Sequence, residues 1–323
     1  MTEYDDAIID SNAISSTDRD GRPIPVTIPI ALAPGITAVY TTRLGGLSAG
    51  DFGNCNLGGK GGDAPEAVLS NRTALAEAVN ARLSLISQIH SGTAVDIDGL
   101  HEDNTGYGYD ASGAADSPAV VEADAQVTGR TGIALGMFSA DCLPVLLADP
   151  ETGVIGAAHC GRRGLEQGVI GATVELMEAK GAKAENIIAT LGPRICGECY
   201  ETGDDVAETF QKRFPLTKTA TRFGGAGVDL AEAAMIDLAF AGVHRIADSM
   251  PRVRAATQYL DGDPELAELC RTDGEGDQNL FTRMEGIRHS MCTLENPLWY
   301  SHRRAALAGK THEGRMLALI VRH

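Results

Sequence analysis

The amino-acid sequence predicts an α+β fold in which mixed β-sheets are flanked by helices. Three short apolar runs of strand length, Ile133–Phe138, Val145–Asp149 and Val154–Ala158, lie close together in the middle of the chain. The last two are separated by the turn-forming segment PETG at 150–153, which predicts an antiparallel hairpin. Segments with helical spacing lie on both sides of these runs. A sheet that contains a hairpin and is flanked by helices is mixed rather than purely parallel.

The first part of the chain is predicted to contain an arm, strands and one helix. Residues 1–34 are acidic and then punctuated by prolines, which is typical of a loose arm followed by an edge strand. Ile36–Thr42 alternates like a strand, whereas Glu66–Ala81 has apolar residues at helical spacing. Leu85–Ile89 predicts another strand. Residues 102–118 are rich in glycine, aspartate and serine, which indicates a surface loop.

The part of the chain after the hairpin alternates between helices and strands. Gly164–Lys180 and Val228–Ala241 are predicted helices, and a glycine follows each of them. Ile187–Leu191 and Met316–Val321 are predicted strands. Residues 248–285 have mixed charge and little periodicity, which predicts an insertion on the surface.

The length and composition limit the class of protein. A chain of 323 residues, 43% hydrophobic and 22% charged, can bury a sizeable core. We expect an N-terminal arm and edge segment over residues 1–34 and a single catalytic domain over residues 35–323. The formal charge of -17 repels phosphate backbones and anionic bilayers, so neither nucleic acid nor a membrane is an expected partner. The N-terminus lacks the features of a signal peptide, and seven cysteines at irregular spacing favour reduced thiols in the cytoplasm.

Cys142 and His159 are expected to meet at the open end of the predicted hairpin. In the register that the PETG turn sets, Pro144 lies opposite His159, and Cys142 lies just beyond the paired residues. Neighbouring positions across two strands are roughly 4.5–8 Å apart, which is close enough for two side chains to share one ion. His90 follows another predicted strand and can supply a third ligand.

This set of residue types suits a catalytic metal. Catalytic zinc uses three protein ligands and an open fourth position to bind and acidify water. One thiolate and two imidazoles favour zinc over magnesium or calcium, with copper as the less favoured alternative. Spacing alone favours a simpler interpretation, because a cysteine in an apolar strand is usually a small buried hydrophobe. A metal-free cysteine hydrolase, with Cys142 as nucleophile and His159 or His90 as base, would use the same side chains.

Longer motifs surround these three residues. The most informative are ADAQVT at 123–128, SADCLP at 139–144 and AHCGRRG at 158–164. Others are TTRLGG at 41–46, CNLG at 55–58, NR at 71–72, QIH at 88–90, LGP at 191–193, CYE at 199–201, CT at 292–293, SHRR at 301–304 and GR at 314–315. Together they resemble the YfiH-like family, also called DUF152, which was formerly described as multicopper polyphenol oxidase or laccase-like and more recently as purine nucleoside phosphorylase.

The resemblance implies an α–β sandwich and an enzyme that converts purine nucleosides and phosphate to free base and pentose 1-phosphate. It also implies adenosine deamination as a second activity, which suits a zinc-activated water directly. The metal-binding and catalytic residues of the family correspond to His90, Cys142 and His159. Hydrolytic editing of cell-wall precursors, also suggested by relatives, is an alternative. The older laccase description conflicts with the eight histidines of this chain and the lack of any His-x-His pair.

Five further residues are candidates for binding substrate. Arg43, Arg72 and Arg163 suit phosphate or ribose oxygens, because a guanidinium group makes planar multidentate contacts with anions. A surface ion pair is the alternative for each arginine. Asn56 and Tyr200 fall in segments that resemble the family and are expected to line the pocket.

Other residues near the centre have supporting or uncertain roles. Asp141 is expected to orient a ligand histidine through its carboxylate. Cys160 is expected in the core, because adjacent residues of a strand point to opposite faces. Arg162 and Cys160 replace the tryptophan and alanine usual in the family, so the pocket wall there is expected to differ. The single pair Cys196 and Cys199, a C-x-x-C, is a weak signal for a metal or redox site.

Overall fold

A computed structural model of the chain describes residues 16–99 and 121–323, so the predicted loop at 102–118 and the start of the arm lie outside the described residues. Within these ranges the strands are β1 Thr27–Ala33, β2 Ile36–Thr41, β3 Arg82–Leu85, β4 Ala94–Asp96, β5 Ala125–Thr128, β6 Ile133–Ser139, β7 Leu143–Ala148, β8 Ile155–Cys160, β9 Ile188–Leu191, β10 Lys218–Ala220, β11 Ala226–Val228, β12 Arg245–Ile246 and β13 Met316–Arg322. The α-helices are α1 Pro65–Ala78, α2 Arg162–Glu166, α3 Val169–Ala179, α4 Asp204–Arg213, α5 Leu230–Phe240, α6 Met250–Thr257, α7 Pro264–Thr272, α8 Leu280–Glu285 and α9 His302–Leu307. Short 3-10 turns cover Gly50–Phe52, Ile97–Gly99 and Ala184–Asn186.

Two mixed sheets form the centre of the fold. The five-stranded sheet has the order β1-β2-β13-β6-β3, and the six-stranded sheet has the order β12-β9-β7-β8-β5-β4. Strand β3 runs parallel to β6, whereas β13 is antiparallel to both of its neighbours. In the six-stranded sheet the β7–β8 hairpin is antiparallel, and β4–β5 and β12–β9 are parallel. The predicted α+β fold with mixed sheets is confirmed, and β1 is an edge strand as the proline-punctuated segment predicted.

The sheets pack face to face, and helices cover their outer faces. Leu135 of β6 and Leu146 of β7 share a central core between the two sheets. On the far side of the five-stranded sheet, Leu319 packs with Leu75 of α1. On the far side of the six-stranded sheet, α3 and α5 close a third core around Leu147. The result is an α–β–β–α sandwich, in which central strands such as β13 are apolar on both faces. Among the described residues, none of the helices combines the length and the apolar composition needed to cross a bilayer.

The β7–β8 hairpin has the register that the sequence predicted. Val145 pairs with Ala158, Pro144 lies opposite His159, and the Asp149 amide donates to the Val154 carbonyl at 2.9 Å. The last residue of the turn, Gly153, has a positive φ of 76°, in the left-handed region. Because the pleat repeats every two residues, this register fixes which side chains emerge at the open end of the hairpin.

Several element boundaries differ from the predictions. The helix predicted over Gly164–Lys180 is two helices, α2 and α3, because Gly168 adopts a positive φ of 79° between them. The helix predicted from Val228 begins two residues later, because the Asp229 side chain accepts the amides of Ala231 and Glu232 as an N-cap. The strand predicted over Leu85–Ile89 ends at its first residue, since the chain leaves the sheet there.

The segment 248–285 is helical and contributes to the central core. Helices α6, α7 and α8 bury Val253, Leu266, Leu269, Cys270 and Leu280 against it. Each of these helices spans only six to nine residues. A periodic pattern is hard to detect over so few turns, so the sequence suggested an irregular surface insertion instead.

A buried carboxylate ties this segment to the sheets. The Asp273 carboxylate forms ion pairs with Arg43 at 2.9 Å, Arg283 at 3.0 Å and Arg304 at 3.2 Å. All four side chains are at most 6% exposed. Burial raises the pKa of Asp273, but the three guanidinium groups outweigh it and hold that pKa at about 2.

We expect Asp273→Ala to lower the free energy of unfolding by roughly 3–5 kcal/mol, because removing one partner leaves buried charges uncompensated. An unfolded aspartate has a pKa of about 3.9, so the carboxylate's contribution is fully present above that pH. It is lost as the pH falls toward 2. Urea unfolding from pH 2 to 7 should therefore show the wild type and the variant converging at low pH. The exposed Asp261→Ala is the control, and equal unfolding free energies at pH 7 would contradict the expectation.

Candidate metal centre and active-site cavity

His90, Cys142 and His159 come together at one end of the sandwich. The Cys142 sulfur lies 3.7 Å from His90 Nε2, and the rings of His90 and His159 pack edge to face with centroids 4.8 Å apart. One donor atom from each residue lies within 4.8 Å of the others. Around a tetrahedral zinc, with bonds of about 2.0–2.3 Å, such donors are roughly 3.3–3.8 Å apart. The three side chains can therefore close around one ion with small movements.

The three residues reach this point from both sheets. His90 follows β3 of the five-stranded sheet, and His159 belongs to β8 of the six-stranded sheet. Cys142 lies in the short crossover from β6 to β7, which connects one sheet to the other. The centre is therefore built where the two sheets of the sandwich meet.

Asp124 holds two of the three candidate ligands in place. Its carboxylate accepts a hydrogen bond from His159 Nδ1 at 2.8 Å, and the backbone amides of Ile89, His90 and Ser91 donate to it at 2.6–3.2 Å. Asp124 is fully buried. Because His159 uses Nδ1 for this bond, its other ring nitrogen is left to act as a ligand.

Two residues beside the centre have unusual backbone conformations. His90 has a φ of 60° and Asp141 a φ of 97°, although neither is a glycine. The Asp124 carboxylate fixes the conformation of His90 by accepting the backbone amides of Ile89, His90 and Ser91. Asp141 is held by bonds to its carboxylate from the Thr293 hydroxyl at 2.6 Å and the Arg303 amide at 2.6 Å. Such strain persists where surrounding contacts impose it, and it is common at functional sites.

The charges of the centre are coupled. Burial raises the pKa of Cys142, but His159 and His90 outweigh burial and bring that pKa down to about 6. Burial lowers the pKa of His159, whereas the nearby Cys142 and the hydrogen bond to Asp124 raise it to about 9. The thiol is therefore disposed to ionise near neutral pH, as a metal ligand or a nucleophile must.

Gly161 allows the backbone to approach the centre. A Cβ at this position would lie 3.0 Å from the Cys142 sulfur and 3.1 Å from His90 Cδ2. Any larger residue would push against two of the three candidate ligands. The glycine that follows His159 and Cys160 in the sequence is thus required by the packing of the centre.

A cavity of about 750 Å³ opens onto these three side chains. Its apolar walls include Phe138, Ile195 and Leu230. Small-molecule sites in proteins are typically about 300–1,000 Å³, mostly apolar and provided with a few polar groups. The cavity is large enough for a nucleoside together with an anion.

Basic side chains concentrate on the cavity wall. Those that line it, besides the two histidines of the centre, are Lys60, His302, Arg303, His312 and Arg315. Glu313 pairs with both His302 and Arg315. The hydrogen bond between His302 and Glu313 raises the pKa of His302. The Arg303 guanidinium lies 5.7 Å from the centre of the Tyr200 ring and donates to the Glu201 carbonyl. The carboxylates of Asp141 and Glu313 also line the cavity, so the wall has a small formal positive excess in a chain of strongly negative net charge.

Of the five residues expected to bind substrate, only Tyr200 lines the cavity. The guanidinium of Arg43 is buried against Asp273, and that of Arg72 donates to the Leu57 carbonyl. Arg163 is exposed, outside the cavity lining. Asn56 is buried, and its side chain accepts the amides of Gly58 and Arg315, two residues that do line the cavity. Arg43, Arg72 and Asn56 thus make contacts that stabilise the fold, and Arg163 lies on the surface.

Asp141 also differs from the expectation. It lines the cavity, but its carboxylate bonds Thr293 and Arg303 rather than a histidine. Asp124 is the carboxylate that orients a candidate ligand histidine, because β5 lies beside β8 and places Asp124 next to His159. Asp124 lies in the motif ADAQVT, but nothing local in that motif indicates this role.

Other residues of the site were missed. Lys60, His302, Arg303, His312 and Arg315 come from segments far apart in the sequence. Arg303 and Arg315 fall in the SHRR and GR segments, so the motifs contained a signal that their chemistry alone did not reveal. Cys160, by contrast, is buried in the core beneath the helices, as predicted.

Comparisons with known proteins identify the family and agree with this fold. A family model described as multi-copper polyphenol oxidoreductase laccase matches residues 37–259. A purine nucleoside phosphorylase of Streptomyces griseus is 42% identical over 207 residues, which cover 63% of this chain and 79% of that protein. A purine nucleoside phosphorylase of Mycobacterium tuberculosis is 32% identical over 278 residues, which cover 85% of this chain and 89% of that protein.

Solved structures share the fold over most of the chain. A Neisseria meningitidis protein of the DUF152 family superposes with a TM-score of 0.66 at 27% identity, covering 92% of this chain and 98% of that one. YfiH of Bacillus licheniformis gives a TM-score of 0.69 at 24% identity, covering 93% and 97%. The family model and the relatives each match more than half of the chain, and their agreement with the sandwich fold shows that the chain belongs to the DUF152 (YfiH-like) family of multi-copper polyphenol oxidoreductase laccase-type proteins.

Proposed function

We propose that this chain is a zinc-dependent purine nucleoside phosphorylase with adenosine deaminase activity. The observation that carries the proposal is the joint placement of a His/Cys/His centre and a basic wall around one cavity. The names of the relatives, purine nucleoside phosphorylases at 32–42% identity, support the phosphorylase part of the proposal. The substrates are a purine nucleoside and phosphate.

The walls of the cavity suit these two substrates. Phe138, Ile195 and Leu230 provide an apolar surface for a purine ring, and Tyr200 adds an aromatic face. Arg303 and the Glu313-paired Arg315 offer guanidinium groups to phosphate, which bind its oxygens in a bidentate manner. We therefore assign the phosphate contacts to these two arginines rather than to Arg43, Arg72 and Arg163.

The donor set of the centre fits zinc. One thiolate and two imidazoles, with His159 oriented by Asp124, form a three-ligand site that leaves a position open toward the cavity. His90, Cys142 and His159 would hold the ion. When bound at such a site, zinc acidifies a water molecule or polarises an oxygen of the substrate. Copper binds the same donors, but a laccase reaction requires a larger histidine set.

Different residues would act in the two reactions, and Asp124 would act in both. In phosphorolysis, Arg303 and Arg315 hold phosphate at the anomeric carbon while the base departs. In deamination the same cavity holds adenosine with its amino-bearing carbon toward the centre. Asp124 keeps His159 in one tautomer and fixes the loop of His90 in both reactions.

A second candidate function is supported by the coupled charges. A Cys142 thiol with a pKa of about 6 beside a His159 with a pKa of about 9 resembles the thiolate–imidazolium pair of a metal-free cysteine hydrolase. In the first function the Cys142 sulfur is bound to a metal ion, whereas in the second it is a free nucleophile. Metal content and alkylation therefore distinguish them.

Arg303→Ala tests the phosphate contact. We expect its kcat/KM for phosphate in phosphorolysis to fall by about 10- to 100-fold, because a hydrogen bond to a charged group contributes about 1.5–3 kcal/mol. Deamination of adenosine uses no phosphate and should change much less. Both rates would be measured with adenosine in the presence and absence of phosphate.

The exposed Arg163→Ala is the matched control and should leave both rates unchanged. An equal loss of phosphorolysis and deamination in Arg303→Ala would contradict the assignment, because it would indicate a general structural role. Absence of phosphate-dependent base release from every purine nucleoside by the wild type would contradict the proposed function itself.

A further inference from the structure

A second group of metal-ligating side chains lies outside the centre described above. Cys196, Cys199, Cys292 and Glu295 place one donor atom each within 4.8 Å of all the others. Three of the four are buried and Cys196 is half-buried. In the sequence they form two pairs of the same spacing, Cys-Gly-Glu-Cys at 196–199 and Cys-Thr-Leu-Glu at 292–295. The second pair is hard to detect in the sequence, because its last member is a glutamate and 92 residues separate it from the first pair.

We propose that these four residues bind a structural zinc ion. Structural zinc sites are closed, with four protein ligands, and are built from paired ligands two residues apart on tight turns. Both pairs have that form here. The amides of Cys199 and Tyr200 donate to the Cys196 carbonyl at 3.0 Å, and the Asn296 amide donates to the Cys292 carbonyl at 2.9 Å. Each turn brings its two donors to the same side.

The surroundings of Glu295 are those of a ligand. Its Oε2 accepts the amides of Arg288 and His289 at 3.1 and 2.9 Å, which fixes the carboxylate. Its Oε1 lies 3.5 Å from the Cys199 sulfur. The Glu295 side chain is 2% exposed. The two amides therefore fix the carboxylate with Oε1 among the sulfur donors of the group, where it can act as the fourth ligand.

A divalent ion would offset much of the negative charge of this group. Three thiolates and one carboxylate carry four negative charges, of which zinc neutralises two. Arg222 and Arg288 lie 3.7 and 3.8 Å from Glu295 Oε1 and offset part of the remainder, although Arg288 also pairs with Glu198 at 3.1 Å. The Cys196 amide donates to the Cys292 sulfur at 3.4 Å, a further contact that suits a thiolate. A disulfide would join two of the three cysteines. It would not account for the position of the third thiol and the Glu295 carboxylate within the same group of donors.

The ion would join two walls of the catalytic cavity. Tyr200 follows Cys199 directly and lines the cavity. Thr293 follows Cys292 directly, and its hydroxyl donates to the carboxylate of Asp141, beside Cys142. A structural zinc here would hold both neighbours of the catalytic centre in register without contacting substrate.

Metal content of the full-length protein tests the proposal. The protein is purified under reducing conditions from zinc-supplied medium, dialysed, and analysed by mass spectrometry for zinc per chain. Cys142→Ala removes a ligand of the first centre, so any remaining tightly bound zinc reports on the second. We expect about one zinc per chain in Cys142→Ala and none in the double variant Cys142→Ala, Cys292→Ser. Cys270→Ala, which removes a buried cysteine outside both groups, is the matched control and should leave the count unchanged in the Cys142→Ala background.

Cobalt substitution keeps the proposal testable if the double variant does not fold. Cobalt bound to Cys142→Ala should give the charge-transfer absorption of several thiolate ligands. Glu295→Gln should shift its spectrum and weaken binding, whereas Glu295→Cys should strengthen the charge-transfer band. A Cys142→Ala protein that holds no zinc and gives no cobalt–thiolate band would overturn the proposal. So would zinc retained after loss of Cys292, or a disulfide among the three cysteines found by mass spectrometry without reduction.

Discussion

Cys142→Ala is expected to lower the metal content by one ion per chain and to abolish both phosphorolysis and deamination. The substitution removes the only thiolate of the centre and leaves two imidazoles, which cannot hold zinc in a three-ligand site. Loss of even an outer hydrogen-bonding partner weakens metal binding by about 10- to 100-fold, so loss of a direct ligand should exceed about 100-fold. Metal analysis and assays of both reactions check this result. Unchanged metal content in the variant would exclude Cys142 as a ligand.

Alkylation of the wild-type protein decides what the sulfur does. A metal-bound thiolate reacts slowly with iodoacetamide, whereas a free thiolate reacts quickly. We expect chelation to abolish activity and to speed alkylation of Cys142, with a midpoint near pH 6 in metal-free protein because of its lowered pKa. Cys160 provides an internal control, because burial raises its pKa well above the ordinary value and it should stay unmodified. Full activity of metal-free protein, with rapid inactivation by iodoacetamide, would instead identify a cysteine hydrolase.

Asp124→Asn is expected to have the second largest effect. The amide keeps the size of the side chain but has one acceptor oxygen in place of two, and it faces donors from His159 and from the loop of His90. Metal affinity and kcat should fall by about 10- to 100-fold. Stability should fall by about 1–3 kcal/mol, the typical cost of buried donors without an acceptor. Zinc titration with a competing chelator and urea unfolding measure the two effects separately.

Asp149→Asn is the matched control for this substitution. Asp149 is also fully buried and also accepts backbone amides, those of Glu151 and Lys183 among them, but it lies at the turn of the β7–β8 hairpin, at the opposite end from Cys142 and His159. It should lose stability to a similar degree and keep its metal affinity. If both variants lost metal affinity equally, the effect of Asp124 would be attributable to general destabilisation.

The sequence predicted the hairpin well because two independent constraints agree there. The turn at 150–153 sets the register, and the strand period of two fixes which residues share a face. Val145 therefore pairs with Ala158, and His159 emerges beside Cys142 as predicted. Helix boundaries were less predictable, because a conformation such as the positive φ of Gly168 depends on how α2 and α3 pack.

The substrate side of the site was harder to predict for a different reason. An arginine has similar local sequence properties whether it contacts phosphate or a buried aspartate. Arg43 meets Asp273, 230 residues later in the chain, and no local pattern reveals that pairing. Arg303 reaches the cavity wall through the position of α9, which likewise depends on long-range contacts. The candidate metal donors were easier to predict, because the hairpin register placed Cys142 beside His159 and the family resemblance pointed to all three residues, including His90.

The position of the centre between the two sheets has a consequence for substitutions far from it. His159 belongs to β8 of the six-stranded sheet, whereas His90 lies in the connection from β3 of the five-stranded sheet to β4 of the six-stranded sheet. The distance between the two imidazoles therefore depends on the layer of side chains between the sheets as well as on the contacts of Asp124. Leu135 and Leu146 belong to that layer, and neither is a candidate ligand. Enlarging or shrinking them would change the spacing of the layers and, with it, the separation of the two imidazoles. We therefore expect the interior of the sandwich to offer a means of tuning the geometry of the candidate centre, in evolution or by design, without altering His90, Cys142 or His159.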